Sequence, residues 1–112
     1  MKNTIDILSH EHQLIQQILQ QHLPQQTTVW AFGSRVTGKA KKFSDLDLAI
    51  DTNSEPLSLE ITAKLAYAFD ESVLPYKVDI VDWNTISDSF RKNIQHDRLP
   101  LWPNKNLAIP PK

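Results

Sequence analysis

The sequence predicts a single small α/β domain in which a short mixed β-sheet is flanked by helices. The chain has 112 residues, a length that suits one domain. Segments with the helical hydrophobic period alternate with short strand-like segments, and this alternation is typical of α/β folds. The predicted order is helix, strand, strand, helix, strand, helix. We expect the domain to span residues 1–99 and a proline-rich tail to follow over residues 100–112.

The three predicted helices are amphipathic. Apolar side chains recur along each of them at spacings of three and four residues, which places them on one face of a helix. A proline follows each of the first two segments and ends the helix, because proline cannot continue the backbone hydrogen-bond pattern. The predicted helices cover residues 4–22, 57–73 and about 84–96.

The three predicted strands are short and cover residues 28–33, 45–51 and 77–82. The first is rich in β-branched and aromatic residues and ends at a glycine. The second alternates aliphatic residues with aspartates, so one face of the strand is apolar and the other is acidic. Between these two strands we expect a loop, residues 34–44, with one helical turn after Gly33.

The composition argues against several classes of protein. The chain carries 12 lysines and arginines against 13 aspartates and glutamates, a formal net charge of −1, so bulk electrostatic binding of nucleic acid is not expected. It has no cysteine, which excludes disulfides and thiolate chemistry. No apolar run approaches the roughly 20 residues of a membrane span, and the N-terminus lacks the hydrophobic stretch of a signal peptide. We therefore expect a cytoplasmic protein that binds neither a membrane nor, directly, nucleic acid.

The acidic strand carries the first candidates for chemistry, Asp45 and Asp47. Residues two apart on a strand point to the same face, with Cα atoms roughly 6.6–6.8 Å apart. Two carboxylates that close repel each other unless a cation lies between them, and oxygen ligands favour Mg²⁺ or Mn²⁺. Asp79 lies among aliphatic residues of the third strand, where an acid requires a partner. If the two strands are neighbours, Asp79 joins this cluster as a metal ligand or as a base toward an attacking hydroxyl.

The segment before the acidic strand supplies a complementary feature. Gly33 and Ser34 directly follow the first strand, where a glycine lets a ligand approach the backbone. The following amides and the serine hydroxyl are suited to cradling a phosphate. A basic cluster follows within residues 35–42, and it is either a phosphate-facing loop or simply a solvated one. Its members are Arg35, Lys39, Lys41 and Lys42. A basic loop beside an acidic strand matches a nucleoside triphosphate bound with Mg²⁺.

The segment GSRVTGKAKKFSDLDLAID, residues 33–51, resembles the signature of the DNA polymerase beta-like nucleotidyltransferase superfamily. That pattern is Gly-Ser, about ten residues, Asp-hydrophobic-Asp, and a third carboxylate on a later strand. Together with the small size, it resembles the minimal nucleotidyltransferases in particular. The resemblance covers roughly residues 28–95 and implies a nucleotidyltransferase-like domain. It implies that Asp45, Asp47 and Asp79 are the catalytic acids and hold two Mg²⁺ ions, with Mn²⁺ as an alternative.

The resemblance also implies a substrate and a partner. It implies nucleotide contacts at Gly33, Ser34, Arg35 and Ser44. The implied reaction moves a nucleoside monophosphate, in the first place AMP from ATP, onto a protein hydroxyl. The implied acceptor is a tyrosine of a HEPN-domain toxin, which makes the chain an antitoxin. Two alternatives stay open: a non-catalytic module that neutralises its partner by contact, and a two-metal nuclease that uses the same carboxylates but gives no role to Gly33 and Ser34.

Overall fold

The computed structural model describes residues 4–103, and within that range helices and strands alternate along the chain. The helices are α1 (Ser9–His22), α2 (Ser34–Thr37), α3 (Leu59–Asp70) and α4 (Asp88–Asp97). The strands are β1 (Thr28–Phe32), β2 (Leu46–Asp51), β3 (Val78–Asp82) and β4 (Leu99–Trp102). Among residues 4–103, no helix combines the length and the hydrophobicity that crossing a membrane requires.

The four strands form one mixed sheet in the order β3-β2-β1-β4. Strand β1 pairs antiparallel with both β2 and β4. Strands β2 and β3 are parallel, so the chain must cross from one end of the sheet to the other between them, and α3 makes that connection. The prediction of a short mixed sheet flanked by helices is confirmed.

The apolar core lies on one face of the sheet, beneath α1 and α3. Leu46, Leu48 and Ile50 of the acidic strand point to this face, as their alternation predicts. Side chains of α1 and α3 pack against them in one cluster. The fully buried members are Ile15, Leu19, Val29, Ala31, Leu46, Leu48, Ile50 and Leu65. The opposite face of β2 carries the aspartates, and α4 approaches that face with the ring of Phe90 6.0 Å from the ring of Phe32.

The helix ends differ from the predicted ones by a few residues, since capping groups set them. Helix α1 begins at Ser9, where Glu11 accepts a hydrogen bond from the Leu8 amide. Ser58 and Ser87 cap α3 and α4 by accepting hydrogen bonds from amides three residues further along the chain. Serine is among the preferred residues for this position, and it places both helix starts later than the hydrophobic period alone predicts.

A strand lies where the sequence predicts the start of an irregular or extended tail. Leu99–Trp102 forms β4 and pairs with β1, and Leu101 is 2% exposed. Pro100 cannot donate a backbone hydrogen bond, which hides the strand from a sequence pattern, but proline is tolerated in a strand at the edge of a sheet. The domain therefore continues through residue 102. Residues 104–112 of the predicted tail lie outside the described residues.

Candidate active site

Two of the three predicted catalytic acids meet on neighbouring strands. Asp47 lies opposite Asp79 in the parallel register of β2 and β3. On its other side, Asp47 lies opposite Phe32 in the antiparallel register of β1 and β2. The row across the outer face of the sheet is therefore Asp79, Asp47, Phe32. The sequence does not specify whether these two strands are neighbours, and the structure shows that they pair directly.

Asp45 directly precedes β2 and is exposed. The ladder to the β3 side begins one residue later, where the Leu46 amide donates to the Lys77 carbonyl at 2.9 Å. The Asp45 carboxylate is close enough to act electrostatically on Asp47. The charges of Asp45 and Asp79 thus both act on Asp47, which lies on a strand whose aliphatic side is buried.

The electrostatics of the site centre on Asp47. Burial, then the charge of Asp79, then the charge of Asp45 raise the pKa of Asp47 from its usual 3.8 to about 6. Burial disfavours the ionised form of the Asp47 carboxyl group, and the two neighbouring negative charges disfavour it further. A divalent cation would relieve the repulsion, and the carboxylate oxygens are the ligands that Mg²⁺ prefers. The donor set therefore fits the implied ion.

The carboxylates are not gathered into a ready metal cage. Across residues 4–103, no three side chains of the histidine, aspartate or glutamate types are arranged to hold a metal ion as they stand. The Asp79 carboxylate instead lies 3.6 Å from the ammonium group of Lys77, and the Asp79 side chain is 44% exposed. Exposed ion pairs of this kind contribute little, so the pair with Lys77 would oppose a rotation of Asp79 toward Asp47 only weakly. Lys77 directly precedes β3 and is absent from the predicted site residues, although its spacing of two from Asp79 in the predicted strand 77–82 is a signal for it.

Gly33 is fitted against Asp47. Its backbone has φ 83° and ψ −154°, a region that residues with a side chain rarely adopt. A methyl group at this position would collide with Oδ2 of Asp47 and would lie 3.4 Å from Cγ of the same residue. Both the backbone conformation and the close approach therefore require glycine. The Gly33–Ser34 turn consequently lies directly beside the central carboxylate, as expected for a site that joins a phosphate to an acid-bound cation.

The predicted helical turn after Gly33 is α2. The amides of Val36 and Thr37 donate to the Gly33 carbonyl, at 3.0 and 3.1 Å. The amide of Lys39 donates to the Ser34 carbonyl at 3.1 Å, and Gly38 ends the turn at φ 83°. The first backbone amides of a helix have no acceptor within the helix. Ser34 is the first residue of α2 and directly follows Gly33, so its amide has no acceptor within the helix.

Arg35 lies elsewhere than the prediction of a nucleotide contact requires. The residue is 6% exposed, and its guanidinium lies over the ring of Tyr76 at 3.9 Å from the ring centre. Its donors bind backbone carbonyls of other segments, among them Ser44 at 3.0 Å and Asp6 at 2.9 Å. A guanidinium that is buried and hydrogen-bonded in this way is not presented to a ligand. In the structure the guanidinium contacts protein carbonyls and Tyr76 instead, and the nucleotide contact at Arg35 stays a prediction.

Ser44 has a similar role within the loop. Its hydroxyl accepts a hydrogen bond from the Lys41 amide at 2.8 Å, and its own amide donates to the Lys41 carbonyl at 3.1 Å. The structure thus engages the Ser44 hydroxyl in a turn, and the predicted nucleotide contact would require that bond to open. By contrast, Lys39, Lys41 and Lys42 are exposed, so these cations of the predicted basic cluster are available to a ligand.

The aromatic side of the site was not among the predicted functional residues. Phe32 flanks Asp47, and Phe90 of α4 meets the Phe32 ring edge-on with 36% of its surface exposed. Phe32 directly precedes the Gly33–Ser34 pair, a position that could have drawn attention to it. The acidic row therefore has an apolar wall on one side and the Gly33 turn beside its centre.

The chain is similar to known proteins in sequence and in fold. Residues 13–105 match the family model described as "Polymerase beta, Nucleotidyltransferase". The protein of Haemophilus influenzae named "Probable protein adenylyltransferase MntA" is 54% identical over 91 residues, which make up 81% of this chain and 78% of that protein.

Solved structures have the same fold. A chain of a toxin-antitoxin crystal structure with AMP-PNP is 25% identical, with a TM-score of 0.64 over 85% of this chain and 75% of that one. A second structure is that of the tri-AMPylated Shewanella oneidensis HEPN toxin in complex with MNT antitoxin. One chain of that complex is 23% identical, with a TM-score of 0.54 over 85% of this chain and 75% of that one. This second likeness is one of fold.

Proposed function

The chain belongs to the polymerase beta nucleotidyltransferase family, and from this premise we propose that it is a protein adenylyltransferase that uses ATP. We propose that the AMP acceptor is a tyrosine hydroxyl of a HEPN-domain toxin and that the chain is the antitoxin of that pair. The observation that carries the proposal is the contact between Gly33 and Asp47, with Asp79 in register on the next strand. This contact brings a turn suited to phosphate and an acidic row suited to Mg²⁺ into one place.

The acids have distinct proposed roles. Asp45, Asp47 and Asp79 would hold Mg²⁺, two ions in this proposal, with Mn²⁺ as an alternative. When bound, the ions supply positive charge that offsets the charge of the triphosphate and of the carboxylates. Asp47 is half-buried and lies in register between Asp79 and Phe32, so we assign it the central place among the ligands. The Asp79 side chain is 44% exposed, so an acceptor hydroxyl can reach it, and we assign to it the proton of that hydroxyl.

The proposed transfer is a displacement at the α-phosphorus of ATP. The acceptor oxygen forms a bond to that phosphorus, the bond to the bridging oxygen of the β-phosphate breaks, and pyrophosphate leaves. The acceptor proton passes to Asp79 and then to solvent. The Gly33 and Ser34 backbone and the Ser34 hydroxyl hold the β- and γ-phosphates. Their place beside Asp47 aligns the phosphate chain with the acids.

A protein acceptor suits the shape of the site. Asp79 is 44% exposed and the Lys77 side chain beside it is 67% exposed, so the acids open to solvent rather than into a closed cavity. The relative of Haemophilus influenzae is named for transfer to protein, and one chain of similar fold is from a complex with an AMPylated HEPN toxin. These names support the choice of acceptor and of AMP.

The test uses the complex of this chain with its HEPN partner, purified with the wild-type chain or with the D45N/D47N double variant. After incubation with ATP and Mg²⁺, mass spectrometry of the partner looks for the mass of added AMP on tyrosine. E55Q, which removes one exposed negative charge from a turn, is the matched control.

We expect AMP on the partner with the wild type and with E55Q, and none with the double variant. Transfer that survives in the double variant would contradict the enzyme proposal. A wild type that neutralises its partner without any transfer would favour the non-catalytic binding module instead. Digestion of added nucleic acid by the wild type, without transfer, would favour the nuclease alternative.

A further inference from the structure

The contacts of Arg35 assign it a function other than phosphate binding. We propose that Arg35 is a positioning residue, which fixes the Gly33–Ser34 turn relative to the backbone that leads into Asp45. The inference rests on the proposed function, since it concerns the two halves of that site. Arg35 directly follows the turn in sequence, and its side chain reaches back to the segment directly before Asp45.

The hydrogen bonds of the guanidinium join three parts of the chain. Nε donates to the Ser44 carbonyl at 3.0 Å. Nη2 donates to the carbonyls of Lys42 at 3.1 Å and Lys41 at 3.4 Å. Nη1 donates to the Asp6 carbonyl at 2.9 Å. A single side chain thus binds three carbonyls of the loop before Asp45 and one carbonyl of the N-terminal segment, that of Asp6.

The backbone of Arg35 takes part as well. Its carbonyl accepts a hydrogen bond from the Asp6 amide at 2.7 Å, so Arg35 and Asp6 bind each other in both directions. The segment before α1 is therefore attached to the same point as the loop. Ile5, which is 4% exposed and belongs to the core cluster, anchors that segment in turn. The turn, the loop and the core are linked through one residue.

The ring of Tyr76 holds the guanidinium in place. It lies under the guanidinium at 3.9 Å, a cation–π distance. The Tyr76 hydroxyl donates to Glu11 at 3.0 Å, which fixes the ring against α1. The arginine is thus held on its face by Tyr76 and along its edges by carbonyls, which leaves it little freedom to swing toward a phosphate.

Arginine suits this task in a way that lysine does not. Its planar group has five N–H donors in a fixed fork, whereas lysine has one ammonium group on a flexible stem. R35K therefore retains the positive charge but cannot reach the carbonyls of Ser44, Lys42 and Asp6 together. If Arg35 instead bound a phosphate directly, R35K would retain much of that interaction. The conservative variant thus separates the two roles.

The experiment compares wild type, R35K, R35A and a matched control. R91K is the control, because Arg91 also donates to a carbonyl, that of Trp83 at 2.9 Å, and also lies over an aromatic ring, but away from the turn and Asp45. Two quantities are measured on the complex with the HEPN partner: the kcat and KM for ATP, and the hydrogen exchange of backbone amides over residues 41–46.

We expect R35K and R35A to lower kcat roughly 10- to 100-fold, the usual effect of removing a group that orients a metal ligand, with little change in KM. We expect both variants to lose exchange protection over residues 41–46, and R91K to keep wild-type values. If R35A does not fold, the kcat and the exchange protection of R35K alone test the proposal.

The inference is overturned if R35K keeps wild-type kcat and protection. It is equally overturned if KM for ATP rises while the loop stays protected, since that result indicates a direct nucleotide contact. If the wild type transfers no AMP, the proposed function fails separately. The exchange measurement then decides the positioning role without reference to activity.

Discussion

Removal of the negative charge of Asp47 should stabilise the folded protein. Asp47 lies on strand β2 close to two other acids, and its pKa is raised from 3.8 to about 6 by burial first and by the charges of Asp79 and Asp45 next. A raised carboxyl pKa means that the folded state disfavours the ionised form more than the unfolded state does. D47N removes the charge and keeps the shape of the side chain. We therefore predict that D47N is more stable than wild type above pH 6.

The size of the effect follows from the shift. A difference between 3.8 and about 6 corresponds to about 3 kcal/mol at about 1.4 kcal/mol per pH unit. Asp47 retains some contact with solvent, which screens the repulsion, so we expect about 1–2 kcal/mol. For a chain of this length, that is a rise in Tm of about 4–8 °C.

The dependence on pH gives the prediction its sign. Below about pH 4 the carboxyl is protonated in both the folded and the unfolded states, so it imposes no penalty. Between about pH 4 and 6 the unfolded state loses its proton first, so wild-type stability falls as the pH rises. Above pH 6 the penalty is complete. The gain of D47N over wild type should therefore be large at pH 8 and small at pH 4.

The assay is thermal unfolding followed by circular dichroism, at pH 4 and pH 8, without divalent ions. E55Q is the control, because Glu55 is exposed and its loss should change stability by less than about 0.5 kcal/mol. Adding Mg²⁺ at pH 8 should raise the Tm of wild type and not that of D47N, since a ligand stabilises only the state that binds it. An equal Tm for D47N and wild type at pH 8, or an equal gain at both pH values, would refute the reasoning.

Three further substitutions test other parts of the structure by chemical unfolding. G33A should lower the free energy of unfolding by more than about 1 kcal/mol, because alanine is strained at φ 83° and collides with Asp47; wild-type stability in G33A would show that the turn does not approach the acid. L101A should lower it by about 2–5 kcal/mol, as expected for a leucine that is 2% exposed, and a loss below 1 kcal/mol would place β4 outside the core. S58A should lower it by about 1 kcal/mol through loss of the α3 cap, with S54A, in an exposed turn, as the control that should change little.

The fold was largely predictable because the apolar residues of its helices and strands recur at regular spacings. The alternation over residues 45–51 predicts both the strand and its two faces, and the structure buries the aliphatic side of β2 completely. The sequence predicted that Asp79 lies near Asp47 only if their two strands are neighbours in the sheet. Their pairing depends on α3 making a parallel connection, and a sequence pattern does not specify which strands pair.

The direction of Arg35 was not predictable in the same way. A side chain next to a phosphate-type turn is a reasonable ligand contact by position alone. Its partners are carbonyls nine residues later and 29 residues earlier, and no local pattern reports contacts at such separations. Strand β4 was not predicted for a different reason. Its short Leu-Pro-Leu-Trp sequence contains a proline and lacks the alternation of a half-buried strand.

The central claim is that Asp45, Asp47 and Asp79 bind divalent cations together beside the Gly33–Ser34 turn. The most direct test is a Mn²⁺ titration, followed by electron paramagnetic resonance in the presence of a non-hydrolysable ATP analogue, for wild type, D79N and E55Q. We expect that wild type and E55Q bind Mn²⁺ alike and that D79N binds it roughly 10- to 100-fold more weakly or loses one ion. Equal affinity and equal stoichiometry for D79N and wild type would contradict the central claim.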